Sequence, residues 1–238
     1  LLKIGVPLTV AAAALAAAKM REMTAPKKEK PRTDAPIIVA LGDSITFGAG
    51  VVKTRASDSW ESKLEKQLGG AYQVLNYGIC GATLQNEGDM PYWNMPDKLC
   101  QGFPEAALAL NPEIVILMLG TNDTKPYNWN RGRYEAQLDQ RVKEILAVPS
   151  VKRLILMCPP FTCPVEGSEI VGYDIINETI RDEVNPIVKK CAADNGVECI
   201  DLYAVTDGHS EYFDDGVHPN SFGNRVIATA IQKQILGQ

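Results

Sequence analysis

Short runs of apolar residues recur along the chain from residue 36 onwards, separated by segments with helical periodicity. Three of the runs are continuous rather than alternating, which is typical of strands buried on both faces of a parallel sheet. The runs are Ile37–Leu41, Tyr72–Leu75, Ile114–Leu119, Leu154–Met157 and Val197–Ile200. Because loops and helical patterns follow them in a repeated order, we predict an α/β protein with a five-stranded parallel sheet between two layers of helices, a three-layer α/β/α fold.

The segments between the predicted strands carry apolar residues at helical spacing. The first stripe, at 60–68, is followed by Gly69-Gly70, which we expect to end the helix. The other stripes occur at 138–146, 176–187 and 226–235. Pro186 falls within one of them, and because proline lacks an amide hydrogen we expect it to kink or divide that helix. The stretch 78–101 has no clear period, and we expect this loop to line a functional site.

The first residues of the chain have the features of a targeting segment. Lys3 precedes an uncharged, mostly apolar run at 4–18, whose length fits a signal-peptide core better than a membrane span. We predict a signal peptide or membrane anchor at 1–18, and export of the protein. Lys19 and Arg21 follow the run directly, and because such charges tend to stay in the cytoplasm, a cytoplasmic location is also open. We assign 19–35 to a linker and 36–238 to one folded domain.

Charge is distributed unevenly along the chain. The net charge is −5 overall but +4 in residues 1–34, so the body from residue 35 onwards carries −9. An acidic body argues against nucleic-acid binding, which needs a basic surface. The six cysteines leave disulfide bonds and free thiols both open, and they form no zinc-binding spacing with the two histidines. We therefore expect no metal ion and no other cofactor.

Four polar motifs lie after predicted strands or just before the last helical stripe. Ser44 follows the first strand, Gly81 the second and Asn122 the third, whereas Asp215 and His218 precede the last stripe. Ligands of open α/β sheets bind beyond the carboxyl ends of the strands. We therefore expect these residues to meet at one edge of the sheet.

Three of these residues are the groups that nucleophilic acyl transfer needs. A serine hydroxyl becomes a nucleophile when an imidazole takes its proton and a carboxylate orients the imidazole. We predict these roles for Ser44, His218 and Asp215, with Asp214 as an alternative orienting group. The second histidine, His209, lies in a polar loop, and we expect it to be structural or solvated.

The same motifs also offer donors for the negative charge that develops on the ester oxygen. We predict that the backbone amides of Ser44 and Gly81 and the side-chain amide of Asn122 form the oxyanion hole. A glycine suits this position because no side chain blocks the approach of the substrate.

The ordered motifs resemble the four sequence blocks of the SGNH hydrolases, also called GDSL-like hydrolases. The matching residues are Gly42-Asp43-Ser44, Gly81 with Thr83, Gly120-x-Asn122-Asp123 and Asp215-x-x-His218. The resemblance spans about 36–236, with Gly78 as an alternative glycine in the second block. It implies a flavodoxin-like three-layer fold and ester hydrolysis without a metal ion.

Aromatic rings flanked by amides occur in two loops, at 92–94 and 127–130. Such loops suit stacking on a sugar and hydrogen bonding to its hydroxyl groups, so we predict substrate contacts from Trp93 and Trp129, and from Asp43 beside the nucleophile. The run 120–129 also looks like SGNH members that remove acetyl groups from carbohydrates. We therefore expect a serine esterase that acts on short-chain acyl esters, with a small-molecule or glycan ester as substrate.

Three other functions are open at this point. The SGNH family also includes lysophospholipases and thioesterases, which act on longer acyl chains. The same triad could transfer an acyl group to a sugar hydroxyl instead of to water. A non-catalytic carbohydrate-binding protein is the third possibility, although the complete set of Ser44, Asp215 and His218 argues against it.

Overall fold

The computed structural model describes residues 27–96 and 100–237. These residues contain a sheet of five parallel strands in the order β2-β1-β3-β4-β5. The strands are β1 (Ile37–Gly42), β2 (Gln73–Gly78), β3 (Ile114–Met118), β4 (Arg153–Cys158) and β5 (Glu198–Asp201). The predicted sheet is thus confirmed, and β1 and β3 are the neighbours at which the strand order reverses, where open α/β sheets bind their ligands.

Helices cover both faces of the sheet. Their bounds are α1 (Ser44–Phe47), α2 (Arg55–Asp58), α3 (Trp60–Gln67), α4 (Phe103–Leu108), α5 (Arg131–Leu146), α6 (Asn185–Asn195), α7 (Leu202–Thr206) and α8 (Ser221–Leu236). Alternate residues of each strand point to opposite faces, so Val39 packs in the core beneath α4, α5 and α6, whereas Ile38 packs in the core beneath α3 and α8. This arrangement confirms the three-layer prediction.

The predicted kink at Pro186 takes the form of a change in helix type. A short helical turn, Asn177–Thr179, continues as a π-helical segment, Ile180–Val184, and α6 begins at the next residue. Pro186 lies in the first turn of α6, directly after the π-helical segment. The apolar stripe predicted at 176–187 is therefore divided between two helical segments.

The segment predicted as a linker, 19–35, contacts the domain in the part that the structure describes. Glu29 accepts hydrogen bonds from the Asn76 amide with its side chain (3.0 Å) and from the Tyr77 hydroxyl with its backbone oxygen (2.8 Å). The Arg32 amide donates to the Gln73 side chain at 2.8 Å. This segment thus lies along β2 and covers part of an exposed sheet edge.

The predicted targeting segment, 1–18, lies outside the described residues. Within the described ranges, no helix is long and apolar enough to cross a membrane. Cys80, Cys158, Cys163, Cys191 and Cys199 are free thiols, and Cys158 and Cys199 on adjacent strands have their sulfur atoms 4.0 Å apart. For these five cysteines the structure shows free thiols, one of the two possibilities that the sequence left open.

Candidate active site

Ser44 is the first residue of α1, directly after the carboxyl end of β1. Asp43 precedes it as the helix cap, with its Oδ1 atom accepting a hydrogen bond from the Ile45 amide at 2.9 Å. A cap of this kind satisfies an amide that the first helical turn leaves without a backbone acceptor. The turn is thereby fixed, and it holds the Ser44 hydroxyl at the edge of the sheet, where only 7% of the residue is exposed.

A continuous chain of hydrogen bonds joins Ser44 to an imidazole and a carboxylate. His218 Nε2 lies 2.8 Å from Ser44 Oγ, and His218 Nδ1 lies 2.7 Å from Asp215 Oδ2. The second carboxylate oxygen, Oδ1, accepts hydrogen bonds from the backbone amides of His218 (2.7 Å) and Val217 (3.0 Å). Because Asp215 binds both the ring and the backbone of His218, it fixes the orientation of the imidazole towards the serine.

The surroundings of Asp215 keep it ionised. Partial burial acts to raise its pKa, but hydrogen bonds and attraction to His218, with the backbone amides, outweigh burial and hold the pKa below its usual range. Tyr173 adds a hydrogen bond from its hydroxyl to Asp215 Oδ2 at 3.1 Å. Asp214, the alternative orienting group, instead accepts a hydrogen bond from the Asn220 side chain at 2.8 Å. Of the two carboxylates, only Asp215 contacts the imidazole.

Three N–H donors are available beside the Ser44 hydroxyl. The backbone amides of Ser44 and Gly81 donate to no acceptor among the described residues. Asn122 uses one amide hydrogen for the Ala82 carbonyl (3.1 Å), which leaves its second amide hydrogen for a ligand. All three residues line one cavity with His218, which is the arrangement that an oxyanion hole requires.

Gly78, the alternative glycine of the second block, has a packing role. Its amide donates a hydrogen bond to Asn76 Oδ1 at 2.9 Å. A Cβ atom there would come within 2.2 Å of the Phe47 amide nitrogen, so only glycine lets α1 approach β2 this closely. Gly81 instead has φ +82°, a backbone conformation that glycine adopts readily, and its amide donates to no acceptor in the part of the chain that the structure describes.

Asp123 connects the two loops that carry Gly81 and Asn122. Its carboxylate accepts hydrogen bonds from the Leu84 and Gln85 amides, both at 2.9 Å. Burial raises the pKa of Asp123 to about 6, although these hydrogen bonds favour the charged form. These hydrogen bonds hold the loop that carries Gly81 in place relative to the loop that carries Asn122.

The cavity above Ser44 has a volume of about 190 Å³. Ala49, Ile175 and Val217 contribute apolar surface to it, and Lys125 and Tyr173 also line it. Lys125 is held by an ion pair with Asp89 at 3.4 Å. No group of three or more potential metal ligands exists among the residues that the structure describes.

The structure places all three predicted substrate contacts away from this cavity. Asp43 is fully buried and caps α1. Trp93 packs against the Arg141 guanidinium, 4.8 Å from its ring centroid, and the Trp129 indole donates to Glu183 at 3.2 Å. Both tryptophans contact the hydrophobic core, so these rings stabilise their loops, and no described contact aims them at Ser44. His209 lies where expected, exposed and stacked on Tyr212.

Comparison with known proteins identifies the family. The sequence model of the GDSL-like lipase/acylhydrolase family matches residues 40–226, which include all four motifs. The chain belongs to this family.

Among curated proteins, the GDSL-like chain is similar to an acetylxylan esterase from Xylanibacter ruminicola, with 34% identity over 224 residues. The match covers 86% of this chain but 44% of the relative, so the chain spans less than half the length of that protein.

Solved structures show the same fold. They include a carbohydrate acetylesterase from Sinorhizobium meliloti (TM-score 0.68, 21% identity) and an aryl esterase from M. smegmatis (TM-score 0.68, 23% identity). Each match covers 85% of this chain and 99% of the other.

Sequence reasoning missed the aromatic residue that does lie at this GDSL-like site. The Tyr173 ring is 59% exposed and lies edge-on to the His218 ring, with 5.2 Å between centroids. Tyr173 and Asp174 both have positive φ values, 62° and 59°, which are uncommon for residues other than glycine. No pattern in the sequence marks Tyr173, because its place depends on a loop that returns from β4 to the site.

Proposed function

We propose that this protein is a serine esterase that removes short acyl groups, acetyl above all, from carbohydrates. The observation that carries the proposal is the chain of hydrogen bonds from Ser44 through His218 to Asp215, beside three free donors in one cavity. The similarity to an acetylxylan esterase supports the acetyl group and the carbohydrate. The small volume of the cavity also favours a short acyl chain.

The reaction follows from the positions of the atoms. Ser44 Oγ attacks the ester carbonyl as His218 Nε2 takes the hydroxyl proton, and the negative charge moves to the carbonyl oxygen. The amides of Ser44 and Gly81 and the Asn122 side chain stabilise that oxygen. When the carbonyl re-forms, the C–O bond to the alcohol breaks and His218 gives its proton to the departing oxygen.

The second half of the reaction repeats these steps with water. His218 takes a proton from a water molecule that attacks the acyl carbonyl carbon. As this intermediate collapses, the bond to Ser44 Oγ breaks, His218 returns its proton to Oγ, and the acid is released. Asp215 stays ionised throughout and stabilises the imidazolium. Tyr173, at the mouth of the cavity, provides an exposed ring against which the alcohol portion of the substrate can lie. We further propose that residues 1–18 direct export or anchor the protein in a membrane.

Hydrolysis of p-nitrophenyl acetate, butyrate and octanoate by the wild type, Ser44→Ala and Ser57→Ala tests the proposal. We expect the highest kcat/KM for acetate, almost no activity for Ser44→Ala and unchanged activity for Ser57→Ala, since Ser57 is exposed on α2. A fluorophosphonate should label every variant except Ser44→Ala. A preference for octanoate would favour a lysophospholipase or thioesterase, and labelling of Ser44→Ala would contradict the mechanism.

Release of acetate from acetylated xylo-oligosaccharides, measured with and without a sugar acceptor, then separates hydrolysis from acyl transfer. We expect free acetate at the same rate in both reactions. Acetate transferred to the acceptor in preference to water would contradict the hydrolase proposal.

A further inference from the structure

A second and larger cavity, of about 810 Å³, lies between residues 27–32, helices α2 and α3 and strand β2. We refer to it as the basic cavity, since six cationic side chains line it. They are Lys27, Lys28, Lys30, Arg32, Lys53 and Arg55. The chain from residue 35 onwards has a net charge of −9, so positive charge is concentrated here on an otherwise acidic protein. Such a concentration attracts anionic ligands.

Two of the cations, Arg32 and Arg55, are held by ion pairs with Glu65 and Glu29, whereas others are free to bind a ligand. The Arg55 guanidinium lies 4.2 Å from the centroid of the Phe47 ring and 3.7 Å from a Glu29 carboxylate oxygen. Lys30 and Lys53 are exposed and form no ion pair with the described residues. The two held arginines form a rigid side of the cavity, and the free lysines supply charge that no carboxylate among the described residues neutralises.

Hydrogen-bond acceptors are interleaved with these cations. The carboxylates of Glu29 and Glu65 and the hydroxyl group of Ser62 line the same cavity. Carboxylates repel a compact multiply charged anion such as phosphate, but they accept hydrogen bonds from sugar hydroxyl groups. The combination of cations and acceptors therefore matches a ligand that carries both carboxylates and hydroxyl groups.

Glu61 is a buried carboxyl group in the lining with no partner. The residue is 2% exposed, and neither carboxyl oxygen has a hydrogen-bond partner among the described residues. Burial raises its pKa to about 8, against the opposing effects of its own amide, Ser59 and Arg55. A buried polar group without a partner is costly, and in the protonated form this carboxyl can donate a hydrogen bond to a ligand and also accept one.

One segment of chain separates the basic cavity from the cavity at Ser44. Ala49 lines the cavity at Ser44, whereas Val52 and Lys53, which belong to the same 3₁₀ segment (Ala49–Thr54), line the basic cavity. The backbone of this segment packs closely on Pro219, the residue after His218, since a Cβ atom at Gly50 would lie 2.3 Å from the Pro219 carbonyl oxygen. The two cavities are thus lined by neighbouring residues of one short segment.

We propose that the basic cavity binds the uronic acid units of an acidic glycan, while an acetylated unit of the same glycan occupies the cavity at Ser44. The carboxylates of the uronic acids lie against Lys30 and Lys53, and the hydroxyl groups contact Glu29, Glu61 and Glu65. The second half of the proposal rests on the proposed esterase function. The first half concerns binding and can be measured without catalysis.

Calorimetric titration of the full chain carrying Ser44→Ala tests the binding. The ligands are a galacturonate hexamer, a neutral xylose hexamer and inorganic phosphate. The test variant adds Lys30→Glu and Lys53→Glu, and the control adds Lys66→Glu and Lys233→Glu, which make the same change in net charge at exposed positions outside both cavities.

We expect the galacturonate hexamer to bind at least about tenfold more tightly than the other two ligands, with an affinity that falls as salt is added. The test variant should lose about tenfold or more in affinity, and the control less than about threefold, because close charge pairs act locally. Equal losses in the two variants, no binding of galacturonate, or equally tight binding of phosphate or neutral xylose hexamer would each overturn the proposal.

Two further measurements separate this proposal from the esterase function. When the same lysine substitutions are made in the protein that keeps Ser44, kcat/KM for p-nitrophenyl acetate should be the same for the test and control variants, since neither changes the cavity at Ser44. Glu61→Gln, which keeps a neutral donor and acceptor, should still bind galacturonate, and Glu61→Met should bind it less tightly. If galacturonate binds but no ester is cleaved, the esterase proposal fails while the binding site stands.

Discussion

Replacement of Asn122 by alanine tests the oxyanion hole directly. One hydrogen of its side-chain amide is bound to the Ala82 carbonyl at 3.1 Å, and the other is left for the substrate. That second bond should strengthen as negative charge develops on the ester oxygen, so its loss should lower kcat and leave KM almost unchanged. Loss of one such donor typically lowers the rate by about 10²–10³, or roughly 3–4 kcal/mol.

The bond to Ala82 predicts a separate effect on stability. Asn122→Ala leaves a buried carbonyl oxygen without this donor, which costs about 1–3 kcal/mol in the free energy of unfolding. Asn128→Ala is the matched control. Its side chain donates to the Asn122 backbone oxygen at 3.0 Å and to Asp89 at 2.8 Å, yet it does not line the cavity. We expect the control to be destabilised but to keep most of its kcat.

The measurements are kcat and KM for p-nitrophenyl acetate, the rate of fluorophosphonate labelling and unfolding in urea. Asn122→Ala should be labelled slowly but completely, because Ser44 and His218 are intact. Asn122→Asp should be at least as slow as Asn122→Ala, since a carboxylate repels the oxyanion. An Asn122→Ala variant that changes only KM, or an Asn128→Ala variant that is equally slow, would refute the assignment.

Two further predictions concern titratable groups. Burial raises the pKa of Glu61 from 4.5 to about 8, so the folded state holds a proton that the unfolded state loses, and wild-type stability should fall relative to Glu61→Gln as pH rises through this interval. The difference in the free energy of unfolding between the two proteins should change by up to about 1.4 kcal/mol per pH unit. If urea unfolding gives the same difference at every pH from acid to neutral, the prediction is contradicted. Tyr173→Phe removes the hydroxyl bound to Asp215 Oδ2 but keeps the bonds from Asp215 to the backbone and the ring of His218. We therefore expect kcat for p-nitrophenyl acetate to fall by less than about tenfold, whereas a larger loss would show that the hydroxyl helps Asp215 to orient the imidazole.

Much of the fold follows from local patterns in the sequence. The apolar runs predict all five strands, and three of the runs are continuous because a strand that is buried on both faces cannot alternate apolar and polar residues. The prediction is least accurate for β2, which continues past Leu75 to Gly78. Asn76 falls inside that strand, and its side chain is satisfied by the Thr46 carbonyl and the Gly78 amide. A sequence pattern alone does not contain these partners.

The sequence also determined which residues to consider for catalysis. Ser44, Asn122, Asp215 and His218 were predicted from their positions at strand ends and before the last helix, and the structure brings them to one edge of the sheet. Parallel strands explain this outcome, since their carboxyl ends all lie on the same side. The chemistry of each residue type then limits the roles that it can play.

Only the tertiary structure decided between alternatives that the sequence offered. Asp214 and Asp215 are adjacent in the chain, but only Asp215 contacts His218. Trp93 and Trp129 have the chemistry of sugar-binding residues, but the structure packs them against the core, and Tyr173 lies at the site instead. Each of these outcomes depends on contacts between residues far apart in the chain, which backbone topology and side-chain packing determine and which no local pattern encodes.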